Sequence, residues 1–179
     1  MTNSEEAYIN KKMGLIKKNI KSLNNNYDST KLVDEIDKWI SSLNFFYNTL
    51  CGNKEPTKVI YNIPSSKRPK EGQMAYIRLG RGYPKELHDD HWCYILKDCG
   101  IKFLIIPSTS IKQSSGKCNP KYEMDIIDKT PNGKSRLSFS DIRSIDSMRL
   151  ITSISPNIYD VVTSRDEIIN KFQELMLTF

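Results

Sequence analysis

The hydrophobic period of this chain changes once, near residue 72, and that change limits the folds open to it. Before it, apolar residues fall at Ile9, Met13, Ile16, Ile20 and Leu23, then at Leu32, Ile36, Trp39, Leu43, Phe46 and Leu50. Steps of four and three keep to one face of a helix. Asn24-Asn25-Asn26 signals a turn between the two runs, and Asp28, Ser29 and Thr30 offer N-caps to the second. Residues 1–50 are therefore expected to form a helical hairpin with a coiled-coil-like seam. Two helices of this size bury too little by themselves, so they are expected to pack on the rest of the chain or on a second copy.

After Gly72 the pattern becomes strand-like. Strands are expected at Gln73–Leu79, Trp92–Lys97, Lys102–Pro107 and Tyr122–Ile127, then at Arg143–Ile145 and Met148–Ile154. Asp98-Cys99-Gly100 reads as a tight hairpin, and Ser138–Asp141 as one helical turn. A helix over Ser164–Leu177, capped by Thr163 or Ser164, presents Ile168, Ile169, Phe172, Leu175 and Met176. Between the two regions, residues 51–70 hold Gly52, Pro56, Pro64, Ser65, Ser66 and Pro69, a linker composition in which Val59-Ile60-Tyr61 suits a short strand.

Charge sharpens this division. The net charge is +6, and residues 51–70 carry five Lys and Arg against one Glu, while the flanking regions are nearly balanced. A basic linker is compatible with a polyanionic partner without establishing one. At 38% hydrophobic and 27% charged, the sequence reads as folded and soluble, with no apolar run near the roughly 20 residues of a membrane helix. The polar start Met1-Thr2-Asn3-Ser4-Glu5-Glu6 lacks the pattern of a signal peptide, and four cysteines without a C-x-x-C pair suit reduced thiols. A cytoplasmic location is the expectation.

From Glu71 to Phe179 the sequence resembles the MazF/PemK toxins. Glu71-Gly72-Gln73-Met74-Ala75-Tyr76-Ile77 looks like that family's R-G-D opening strand. Glu86 and Trp92–Lys97 resemble its E-Q-x-G-x-R-P segment, and Lys102–Ser110 its third strand. Ser138–Leu150, reading S-F-S-D-I-R-S-I-D-S-M-R-L, is similar to L-x-D-Q-I-R-T-I-D-x-x-R-L and is the strongest match. The resemblance implies an α+β domain over 71–179, a small SH3-like bent β-barrel with a C-terminal helix, preceded by the helical hairpin. It implies a homodimer that cleaves single-stranded RNA with no metal and no cofactor, and that a cognate antitoxin inhibits.

Metal-independent cleavage needs a base for the 2′-OH, donors for the phosphate and an acid for the leaving oxygen. Where the family has its arginine this sequence has His91, followed by Trp92 in place of proline. An imidazole suits proton transfer near neutral pH and is a weaker phosphate clamp than a guanidinium. His91 is a candidate base or acid, or else a surface histidine at a strand start. Thr109 matches the family's catalytic threonine and offers a hydroxyl to a phosphate oxygen, against the plainer role of ending a strand. Arg78 and Arg81 are candidates for the clamp, and Tyr83 and Trp92 for stacking bases. Asp141 stands where a glutamine lies near RNA in many members. Arg149 is a candidate RNA contact, with a salt bridge to Asp146 the favoured role. His88-Asp89-Asp90-His91 looks like a metal string, but four ligands on one loop rarely close a coordination shell, and no metal is assigned. Three readings follow: a toxin-like endoribonuclease, a catalytically degenerate barrel that binds RNA or protein, and an interaction protein that works through its hairpin.

Overall fold

The computed structural model describes residues 2–23 and 26–177. Among them the chain is α+β, with three α-helices and a seven-stranded antiparallel sheet that is not closed. It divides into two compact units, Met1–Gly52 and Asn53–Phe179.

The first unit contains α1 (Asn3–Lys21) and α2 (Ser29–Asn44), the latter running on into a π-helical turn, Phe45–Cys51. Thr2 and Glu5 form a reciprocal capping box on α1, and the Asp28 carboxylate caps α2 by accepting from Lys31 N–H. Both helices are thus set by local chemistry, yet neither contains a buried residue. Ile9, Met13, Ile16, Trp39 and Leu43 of the expected seam are exposed. Asn24 and Asn25, read as the turn, lie outside the described residues.

The second unit is built on β1 (Gln73–Gly80), β2 (Asp89–Asp98), β3 (Lys102–Ser110), β4 (Glu123–Ile127), β5 (Lys134–Ser138), β6 (Arg143–Asp146) and β7 (Ile158–Asp160), followed by α3 (Arg165–Leu177). The order across the sheet is β4-β5-β3-β2-β1-β7, with β6 also on β3. β3 is the spine: on one edge it pairs with β2, and on the other first with β6 and then with β5. Pro107 falls between the residues paired to β6 and those paired to β5, where its missing N–H interrupts neither ladder. One isolated bridge, Asp128 with Val161, ties the chain after β4 to the chain after β7.

Both faces of the central strands are covered, so Cys93-Tyr94-Ile95-Leu96 is a continuous buried run rather than an alternating one. Ala75, Ile77, Cys93, Ile95, Phe103 and Ile105 form one core, closed by Ile63, Ile145 and Leu150. Met74, Tyr94, Leu96 and Ile106 form the other with Ile126, Leu137, Phe139 and Ile168 of α3. Ser164 caps α3 by accepting from Glu167 N–H, and Ile169, Phe172 and Leu175 pack as expected of its apolar face. The side chain of Met176 lies outside the described residues.

Three expectations change. Residues 59–69 are not a free linker: Ile63 and Pro69 are buried, Arg68 grips Asp98 through two hydrogen bonds and lies over the Phe103 ring, and Lys67 donates to Thr152 O. Val59–Tyr61 forms no strand: Tyr61 packs on the core while Ile60 stands exposed. Met148–Ile154 is not a strand either. A 3-10 turn, Ser147–Arg149, turns the chain there because Asp146 caps it by accepting from Met148 N–H, and only Leu150 bridges to β1.

Candidate functional site

β1, β2 and the connection between them hold most of the candidate residues. β1 ends at Gly80 (φ 80°), whose cross-strand partner Asp89 also has a positive φ, 68°. The register shifts between Arg78 and Gly80, a bulge that sharpens the turn out of the sheet. The positive φ accounts for the glycine; Arg149 lies beside it, its Nη1 donating to the carbonyls of Arg78 and Leu79 and standing 3.4 Å from where a Cβ on Gly80 would be. At the loop tip, Tyr83 N–H donates to the Glu86 carboxylate at 3.1 Å and Glu86 N–H to Tyr83 O at 2.9 Å, leaving the Tyr83 side chain 80% exposed. The far end of the loop is held by its backbone. Leu87 N–H donates to Asp141 Oδ1 at 3.2 Å, and Leu87 O accepts from Arg143 Nη2 at 3.0 Å.

His91 and Thr109 lie on the adjacent strands β2 and β3, just beyond the last paired residues. Cys93 is opposite Pro107, and two residues further along each strand stand His91 and Thr109. Alternation puts His91 on the face of Cys93 and Ile95. Its Nδ1 lies 3.0 Å from Ser108 O. A carbonyl only accepts, so Nδ1 carries the proton and Nε2 is left with its lone pair or a second proton. Ser108 is itself buried and fixed, its Oγ donating to Trp92 O at 2.7 Å. Thr109 is exposed, and its partner on the other side is Arg136 of β5. Arg136 is held by both oxygens of Asp125, at 2.6 and 3.0 Å, and by Gly116 O. The Arg136 guanidinium holds the Asp125 carboxyl below the usual carboxylate range.

The remaining candidates do not converge on that pair. Arg81 Nε stands 2.8 Å from Asp89 Oδ1, and Arg78 Nε 3.8 Å from Asp90 Oδ1, so each proposed clamp faces a carboxylate. Trp92 points to the opposite face of β2 from His91, packed between a tilted Tyr76 ring and an edge-on Tyr159 ring with centres 5.1 and 4.9 Å away. Asp141 accepts from Leu87 N–H and Ser138 Oγ, which makes it a brace for the loop. Arg149 is committed to backbone carbonyls, and Asp146 serves the turn cap in place of the expected salt bridge.

The His88-Asp89-Asp90-His91 string is divided among different partners: His88 Nδ1 and Arg81 meet Asp89, Arg78 meets Asp90, and His91 meets Ser108. Among the described residues no group of three or more His, Cys, Asp or Glu is placed to hold a metal. Burial pushes the Cys93 thiol far up, so it is a core side chain and not a nucleophile. Among the described residues no helix is long and apolar enough to cross a membrane.

No protein-family model and no curated protein matches the chain. The site therefore rests on its own geometry.

Sequence reasoning passed over Arg143. Its signal is the arginine of Asp141-Ile142-Arg143-Ser144-Ile145, which opens the expected strand Arg143–Ile145. Arg143 donates to Leu87 O and to Asp141 O, and its charge is felt at Cys93, on the His91 face.

Proposed function

We propose that the second unit is a MazF/PemK-like barrel that binds single-stranded RNA and cleaves it without a metal, by attack of the 2′-OH on the adjacent phosphate. The observation that carries the reading is the His91–Ser108 hydrogen bond. It holds the imidazole through Nδ1 and leaves Nε2 for the work of a general base, on the strand next to the one that carries the exposed Thr109. In this role His91 Nε2 takes the 2′-OH proton and Thr109 donates to a non-bridging phosphate oxygen. Tyr83, at the loop tip, is placed to stack on a base. The bent barrel is supported by the Asp128–Val161 bridge between the two outer strands. On the same reading the domain pairs as a homodimer, and a cognate antitoxin covers the groove.

The test is incubation of the purified chain with mixed-sequence single-stranded RNA in EDTA. Discrete products are expected, and His91→Ala and Thr109→Ala are expected to lower the rate on the order of 10²–10⁴-fold and 10²–10³-fold. If both variants retain the wild-type rate, the assignment is wrong.

A second reading draws on the ion pairs. With Arg78 facing Asp90 and Arg81 facing Asp89, the phosphate clamp is largely neutralised. That favours a degenerate barrel that binds RNA or protein, and it predicts salt-sensitive RNA retention with no product.

A further inference from the structure

α2 is apolar over a wider face than a single neighbouring helix can cover. Leu32, Ile36, Trp39 and Leu43 make one seam, with steps of four, three and four, and Val33, Ile36, Ile40 and Leu43 make a second beside it, with steps of three, four and three. At ~100° per residue the six positions open a face about 120° wide, where a two-stranded coiled coil uses a narrow strip. Val33, Trp39, Ile40 and Leu43 are exposed, and Leu32 and Ile36 are half-buried. A helix with two adjacent seams packs between two other helices, as in a four-helix bundle.

Charge identifies those two helices. α1 carries five lysines against two glutamates, and α2 three carboxylates against two lysines. On the helical wheel Lys12 and Lys17 flank the stripe of Ile9, Met13, Ile16 and Ile20 on its two sides, while Glu35 and Asp37 flank the wide face of α2. A short connection sets neighbouring helices antiparallel, which brings the lysine-rich half of α1 level with the half of α2 that holds Asp34, Glu35 and Asp37. α2 is thus matched to a basic helix on either side, and the chain can supply one from its own α1. α1 is the one basic α-helix among the described residues. α3 has three carboxylates against two cations, and it already packs Ile168 and Phe172 into the second unit. The other basic helix must come from another copy.

We propose that the first unit is a dimerisation module, a four-helix bundle of two chains in the order α1, α2, partner α1, partner α2. Every basic helix then lies between two acidic ones, and like charges sit on the diagonals. The Glu35–Lys38 ion pair and the contact of Lys12 with the Tyr8 ring are made within single helices, and interactions of that kind are weak enough to give way to contacts between helices. Assembly depends on concentration: in the dilute single chain the apolar faces stand open, and in the dimer they are covered. The proposal is independent of the nuclease reading.

The experiment is sedimentation equilibrium of the full chain from about 1 to 100 μM. Dimers that dissociate within or below that range are expected. Ile40→Glu sets a carboxylate in the second seam and is expected to raise the dissociation constant at least about 100-fold. Lys12→Glu with Lys17→Glu makes all four helices acidic and is expected to weaken the dimer by at least about tenfold. Adding Glu35→Lys and Asp37→Lys to that chain restores opposite charge and is expected to recover most of the loss. Glutamate and lysine are good helix formers, and circular dichroism checks that each variant folds. A wild-type chain that stays monomeric at the highest concentration overturns the proposal. So does a dimer whose constant Ile40→Glu leaves unchanged, which would assign the contact to the second unit. A chain with all four charge substitutions that dimerises no better than the Lys12→Glu, Lys17→Glu chain overturns the alternating order, and the proposal with it.

Discussion

In Asn53–Phe179 the side chains of Met74, Ile77, Tyr94, Phe103 and Ile106 are wholly shielded from water. In Met1–Gly52 the matching apolar side chains, Ile9, Met13, Ile16 and Trp39, stand between 43% and 58% exposed. Both regions carry regular apolar patterns, and both form the element type their period dictates. The difference lies in what covers the pattern. A period fixes which face of an element is apolar, and only a partner surface turns that face into stability. The sheet brings its partners within the unit, from residues 59–69 on one face and from α3 on the other. The helices have capped ends and no buried residue.

Substitutions in the two regions can sharpen that contrast or break it. Phe103→Ala removes a fully buried ring at the centre of the sheet and is expected to destabilise the second unit by about 3–5 kcal/mol, read from urea denaturation. Ile63→Ala should cost about 2–4 kcal/mol, although it lies in the stretch that reads as linker. A loss below about 0.5 kcal/mol would return residues 59–69 to that status.

Arg68→Ala should cost about 1–2 kcal/mol, since it breaks a part-exposed pair and uncovers the Phe103 ring. This effect depends on pH. The Arg68 guanidinium, aided by Gly100 N–H, holds the Asp98 carboxyl below its usual range. A depressed carboxylate contributes stability that is present above the unfolded value of about 3.9 and is lost as pH falls through the folded value. The stability gap between wild type and Arg68→Ala should therefore close in acid and be full at pH 7. A gap of constant size from pH 7 to pH 2 would assign the loss to packing alone. The smallest effect is expected for Ile16→Ala in α1, below about 0.5 kcal/mol by the same measurement. A loss of 2 kcal/mol or more, by the scale of buried isoleucines, would mean that another surface covers the stripe.

Much of the sheet was legible from sequence. β1 to β3 follow runs such as Tyr94-Ile95-Leu96 and Phe103-Leu104-Ile105, and the β2–β3 hairpin turns at Asp98-Cys99-Gly100, with Gly100 at φ 82°. β5 escaped because Lys134-Ser135-Arg136-Leu137-Ser138 offers one large apolar residue. Its other inward position is a buried serine, so the alternation is nearly silent. β7 is three residues long, too short for a period to show. Met148–Ile154 misled in the opposite direction, since its apolar residues suit a strand while the Asp146 cap turns the chain. Of the candidate site residues, His91 and Thr109 are chosen by type and order, and the structure sets them on adjacent strands. The roles of Arg149, Asp141 and Arg143 could not be read in this way, because their partners are carbonyls and amides that carry no sequence signature. Trp92 is a candidate for stacking bases, but a strand sends neighbours to opposite faces, and it packs on the face away from His91.

The Asp128–Val161 bridge bears on how this protein behaves in a crowd. An unpaired strand edge is a template on which a stranger's strand can grow, and long, flat, apolar edges are the ones that seed fibres. The two outer strands here are short, at five and three residues, and one rung fastens the end of each to the other. What stays open carries Glu123, Asp125 and Asp160, each in an ion pair with Arg136 or Lys129 that an approaching strand would have to displace. The sheet is thus guarded against recruitment along β4 and β7, and with the faces of its central strands covered, the surfaces it offers to other molecules are its loops.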